Sequence, residues 1–180
     1  MVLVKYITAL ILTLLALASC DNQKSLEEYL VEKQDDDKFL KVDVAASLLQ
    51  SKTNTMTREQ KDILATIEKV NVVAYPVQEG KTEEYKTEKQ EVKSILDQEE
   101  YKLLIKMGSN NKGATVSYTG EEDAIDEVVI FANDKERGFA VLRVLGEDMR
   151  PDQMIKLMRS VEKGDLDISK LQGIGEIFKD

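Results

Sequence analysis

Apolar positions first run together along this chain, then recur with the helical period, and finally alternate with period two. Residues 7–17 are apolar apart from Thr8 and Thr13, follow Lys5, and give way at once to small Ala18 and Ser19. A membrane-spanning helix needs about 20 apolar residues, so this run is too short to cross a bilayer. A positive start, an apolar middle and a small-residue end make it an export signal. Polar Asp21-Asn22-Gln23-Lys24 then reads as a tether.

Helical spacing takes over next. Ser25-Leu26-Glu27-Glu28 has the pattern of a capping box, in which the Ser hydroxyl and the Glu carboxylate satisfy each other's neighbouring amides. Leu26, Tyr29 and Leu30 recur at i, i+3, i+4, which predicts a first helix to about residue 33. Gln34-Asp35-Asp36-Asp37-Lys38 ends it, and Leu40, Val42 and Val44 alternate as one face of a strand. Residues 45–50 predict a short helical turn. Thr57-Arg58-Glu59-Gln60 is a second capping box, opening a helix with Ile63, Leu64 and Ile67 turned inward. A strand over 70–75 stops at Pro76. Thr82 is the predicted cap of the longest helix, with Glu83 and Glu84 at its positive end and Tyr85, Val92, Ile95 and Leu96 as its buried stripe.

From residue 101 the period is two. Tyr101, Leu103, Ile105 and Met107 alternate with Lys102, Leu104 and Lys106, which places the first four on one face. Corners at Gly108–Gly113, Gly120–Asp123 and Asn133–Gly138 separate this strand from those over 114–118, 125–132 and 139–145, a pattern of successive hairpins. A helix follows from Pro151 with Met154, Ile155, Leu157 and Met158 apolar, and a weaker one over 168–178 is interrupted by Gly173 and Gly175. The expected fold is α+β: a mostly antiparallel sheet with a C-terminal four-strand meander and helices packed on at least one face. Val128-Val129-Ile130-Phe131-Ala132 and Phe139-Ala140-Val141-Leu142 are apolar on both faces, so these strands should be central and covered twice. The other arrangement leaves the second face as a groove for a partner. The boundaries are 1–19 for the signal, 20–24 for the tether and 25–180 for a single domain.

Leu17-Ala18-Ser19-Cys20 resembles the lipobox read by lipoprotein-processing enzymes. That resemblance implies diacylglyceryl on the Cys20 sulfur, cleavage between Ser19 and Cys20, and acylation of the new amine. Two or three acyl chains anchor firmly, since each buried methylene contributes about 0.8 kcal/mol and a single chain holds only marginally. Cys20 is the sole cysteine, so no disulfide accounts for it.

Composition narrows the chemistry. The chain has 25 basic and 34 acidic residues, a net charge of −9, and loss of residues 1–19 removes one lysine to leave −10. Such a chain is a poor partner for nucleic acid and stays soluble beside a membrane. It has no histidine, which removes the commonest general acid–base and the commonest metal ligand. Lipid on Cys20 removes thiol chemistry, and no tryptophan is present for carbohydrate stacking. Asp35-Asp36-Asp37 lacks the alternate spacing, glycine and distal glutamate of a calcium loop, and reads as a solvated connection. Ser109-Asn110-Asn111-Lys112 and Ser160-Val161-Glu162-Lys163 have Ser-x-x-Lys spacing, but one falls in a hairpin tip and the other at a helix end, where the lysine cannot serve the serine as base. Gly173-Ile174-Gly175 lacks the third glycine and the preceding strand of a nucleotide loop. No catalytic, cofactor-binding or metal-ligating residue is nominated; the site residues are Cys20 for lipidation and Ser19–Cys20 for cleavage.

The lipobox cysteine, residues 25–33 leading into Phe39-Leu40-Lys41-Val42, the strand 70–75 before a long helix, and the closing meander together resemble the domain-of-unknown-function family 4252, small lipoproteins common in Bacteroidota. The resemblance implies an envelope lipoprotein and brings no functional residues with it. The leading expectation is a lipid-anchored, non-catalytic module that binds an envelope protein or component, held to the membrane through Cys20, on the outer membrane, its periplasmic side or the cell surface. The alternatives are a hydrolase or transferase working through carboxylates or tyrosine, and a structural or stress-response envelope protein.

Overall fold

A computed structural model describes residues 23–45 and 56–162. In chain order the elements are α1 (Leu26–Glu32), β1 (Leu40–Ala45), α2 (Arg58–Ala65), β2 (Ile67–Pro76), α3 (Thr82–Leu96), β3 (Lys102–Gly108), β4 (Lys112–Glu121), β5 (Ala124–Asp134), β6 (Gly138–Met149) and α4 (Pro151–Glu162). A short 3-10 turn, Lys33–Asp35, follows α1. The strands form one antiparallel sheet in the order β1-β2-β6-β5-β4-β3, so the meander β3–β6 closes against β2 and the fold is α+β as the alternation implies.

Both capping boxes form. Ser25 Oγ accepts from the Glu28 amide and Glu28 returns the bond to the Ser25 amide; Thr57 and Gln60 do the same at α2. Thr82 is not a cap: Lys81 holds that position without a side-chain bond, and Thr82 is the first residue inside α3. The expected turns over 45–50 and 168–178 fall on residues outside those described, Ala45 excepted, which ends β1.

Helices cover the sheet on both sides, which meets the demand of the doubly apolar strands. On one side Ile63 and Leu64 of α2 and Met154 of α4 pack with Val70, Val72, Val116, Val128 and Val144. On the other, Leu26 and Tyr29 of α1 and Tyr85, Val92 and Ile95 of α3 pack with Val73, Tyr75, Val129, Phe131, Phe139 and Val141. The second core is aromatic: Tyr75 and Phe139 stack with centroids 5.7 Å apart, and Phe39 meets Tyr75 edge-on at 5.1 Å. Such pairs contribute about 0.5–1.5 kcal/mol beyond burial.

Strand β3 departs from simple alternation. Leu103 lies opposite Ser117 and Ile105 opposite Val116, so an extra residue, Leu104, sits in a bulge between them. Leu103 therefore faces the α1–α3 side while Ile105 and Met107 face the α2–α4 side. The expectation that Tyr101, Leu103, Ile105 and Met107 share one face is corrected on this point, and Tyr101 precedes the strand.

Candidate interaction site

The register sets one row of opposed residues across all six strands: Asp43, Asn71, Arg143, Val129, Ser117 and Leu103. The next row on the same face reads Lys41, Val73, Val141, Phe131, Thr115 and Lys106. Helix α3 covers the middle of this face. Between α3 and the outer strands β3 and β4 a cleft of about 290 Å³ remains, floored by Thr115, Ser117 and Phe131 and walled by Lys93, Leu96 and Tyr101. Leu103 and Lys106 form its outer lip, and Leu103 is 61% exposed.

Both ends of the cleft are tied down. At one end Asn110 of the β3–β4 loop accepts, through its carbonyl, from Lys89 Nζ at 2.6 Å and from Asn133 Nδ2 at 3.0 Å. At the other, the α3–β3 connection is held by the Tyr101 amide donating to Gln98 O at 3.1 Å. The cleft is positively charged. Burial, and then the neighbouring Lys93 charge, push the Lys89 ammonium below its ordinary pKa. Neither Lys93 nor Lys106 has a carboxylate partner among the described residues, in a chain where acids outnumber bases. Asp97 is the acidic group on the cleft wall.

A second polar site lies under α1 on the same face. Arg143 Nη2 donates to Glu127 Oε2 at 2.8 Å, and the side chains are only 12% and 8% exposed. Glu27 of α1 stands 3.9 Å from the same nitrogen. A cavity of about 150 Å³ opens beside Arg143, Asn71, Asp43 and Lys69. A wider recess of about 780 Å³ runs along Gln23–Ser25 and the last turn of α3, where Gln98 Nε2 donates to Lys24 O at 2.9 Å and fixes Lys24 against the end of that helix.

Four tyrosines are held protonated. Burial first, then Glu88, raises the Tyr29 phenol far above its ordinary range, and burial also raises those of Tyr75, Tyr85 and Tyr101. A phenol shifted this way resists forming the phenolate that nucleophilic or base chemistry requires. Lys33 is likewise structural: nearly buried, it donates to Glu88 at 2.9 Å and sits over the Tyr29 ring, which joins α1 to α3.

Cys20 and Ser19 lie outside the described residues, as do Gly173, Gly175 and Lys163. The Ser109–Lys112 segment forms the β3–β4 hairpin tip, with the Ser109 amide donating to Lys112 O at 2.8 Å. Asp36 accepts from the Lys38 amide at 3.0 Å and shapes the turn into β1. Among the described residues no cluster of three metal-ligating side chains forms, and no helix is long and apolar enough to cross a membrane. Sequence reasoning missed both polar sites. Glu127 and Arg143 did carry a signal, being charged residues set in strands otherwise built for burial on both faces.

A family model described as "Domain of unknown function (DUF4252)" matches residues 29–157, from within α1 to within α4. The chain belongs to this family. No curated protein and no solved structure matches it. The DUF4252 match takes in the whole six-stranded sheet and the cleft beside β3, and it begins after Cys20.

Proposed function

We propose that this DUF4252 protein is a lipid-anchored protein of the cell envelope whose folded domain is a non-catalytic binding module. The observation that carries the binding role is the cleft between α3 and the β3–β4 hairpin: concave, tied at both ends, with exposed Leu103 at its lip, and flanked by Lys93 and Lys106, which have no carboxylate partner among the described residues. Concave sites that set apolar side chains beside placed polar groups, as Leu96, Tyr101 and Phe131 stand beside Thr115, Ser117 and the lysines, are where recognition concentrates. The anchor rests on Leu17-Ala18-Ser19-Cys20 after the apolar run, and the polar residues 21–24 would space the domain from the bilayer.

Two measurements test this reading. The Cys20→Ala chain should leave the membrane fraction or remain unprocessed, and its N-terminal peptide should lack the diacylglyceryl mass. Retention in the membrane with normal processing would overturn the anchor. Crosslinking of the intact protein in envelopes should give an adduct through residues around the cleft; adducts confined to other faces would overturn the site.

A further inference from the structure

We propose that the cleft beside β3 takes an extended acidic peptide segment, which adds to the free edge of β3 as a seventh strand and lays every second side chain beside Leu103 and Lys106 at the mouth of the cleft. This rests on the binding role proposed above and names its partner chemistry.

Three observations converge. Strand β3 pairs with β4 alone, so its outer backbone groups present an open sheet edge among the described residues. Strand addition to such an edge is a recurrent mode of peptide recognition, with main-chain bonds giving affinity and pockets for alternate side chains giving selectivity. The cleft supplies the pocket. At about 290 Å³ it lies at the lower end for small-molecule sites, and it opens over Thr115 and Ser117 on the face towards which every second residue of an added strand would point.

Charge selects the occupant. Lys93 on the helix side and Lys106 on the strand side flank the opening, against the single carboxylate of Asp97. Lysines on an edge strand ordinarily guard against self-pairing. Here they do so selectively, because a second copy would bring Lys102 and Lys106 against their own like, whereas an acidic segment would neutralise Lys93 and Lys106. The bulge at Leu104 limits the straight part of the edge to Ile105–Gly108, which implies a short strand.

The test uses the full-length chain as cells make it, immobilised in detergent and panned against a random twelve-residue peptide library. Enriched peptides should carry Asp or Glu alternating with apolar residues. In the complex with one such peptide, amide hydrogen exchange over 102–107 should slow. Reversing both lysines (K93E with K106E) should weaken binding about tenfold or more, since like charges then face each other. Lys106 is exposed and Lys93 half-buried at the cleft wall, so an unchanged unfolding midpoint would confirm that the variant folds. The proposal is overturned if enriched peptides show no acidic bias, if protection appears away from β3, or if soluble short-chain phosphatidylglycerol displaces the peptides and binds more tightly. A crosslinked envelope partner whose binding survives the double reversal would leave the binding module standing and remove the acidic strand.

Discussion

The Arg143 guanidinium and the Glu127 carboxylate face each other at 2.8 Å on the α1–α3 side of two adjacent central strands, almost out of reach of water. Glu127 Oε1 and Arg143 Nε have no hydrogen-bond partner, so the pair is only partly satisfied. Removing one partner of such a pair leaves an uncompensated buried charge and costs about 3–5 kcal/mol, whereas replacing both with apolar groups is often neutral. Arg143→Met should therefore lower the urea midpoint far more than Arg143→Met combined with Glu127→Leu. A double variant as unstable as the single one would show that the two side chains do not depend on each other.

Alkaline pH should unfold the protein in a narrow window. Tyr29, Tyr75, Tyr85 and Tyr101 all have folded-state pKa values raised above their ordinary value of 10.0, chiefly by burial. Burial draws the Lys33 ammonium down, but its bonds to Glu88 and Glu32 outweigh that and raise it above 10.5. In both cases the folded state keeps its proton at a pH where the unfolded chain releases it. Stability is then fully present below about pH 10 and falls as pH rises beyond it. Thermal midpoints measured from pH 8 to 11.5 should drop above pH 10, and Tyr29→Phe, which cannot ionise, should drop less steeply. A Tyr29→Phe curve parallel to the parent would remove Tyr29 from this account.

Local signals explain what could be read from the chain. Ser25 with Glu28 and Thr57 with Gln60 act within three residues, so the sequence carries the whole capping geometry. The hairpin corners of β3–β6 are similarly self-contained, and burial on both faces was legible in Val128–Ala132 because no polar residue interrupts the run. Leu103 was misplaced because its face depends on a bulge set by pairing with Ser117 and Val116, which no property of Leu104 announces. The cleft was invisible for the same reason. Lys93 and Lys106 become neighbours of one opening only once α3 leaves β3 and β4 uncovered. Cys20, expected to carry lipid, and Ser19, expected to precede the cut, lie outside the described residues.

Gly138 should tolerate no side chain. It opens β6 at φ +135°, and a Cβ there would stand 2.0 Å from the backbone oxygen of Tyr75 on β2. Relief would require β2 and β6 to separate beside the stacked Tyr75–Phe139 pair, since backbone atoms cannot rotate away. Gly80, at φ +79°, has open space around it. Gly80→Ala should cost only the left-handed penalty of about 1–2 kcal/mol. Gly138→Ala should cost clearly more and quench the near-ultraviolet circular dichroism of the aromatic core. Equal losses at the two positions would mean that the β2–β6 approach is less tight than the geometry requires.

Val141 and Val144 lie three residues apart on β6, yet one packs against Val129 and Phe131 beneath α3 and the other against Val128 beneath α2 and α4. Each valine is nearly sealed from solvent. Truncation to alanine removes two methyl groups and leaves a small cavity, for a cost of about 2 kcal/mol at either position. The sheet lies between them, so the residues share no core partners and their effects should add. Val141→Ala with Val144→Ala should therefore lose the sum of the single losses, in one cooperative transition with an unchanged denaturant slope. A reduced slope, or two separate transitions, would mean that one side of the sheet melts before the other. In that case the doubly apolar strands β5 and β6 would not couple the two layers into a single folding unit, as their burial on both faces implies.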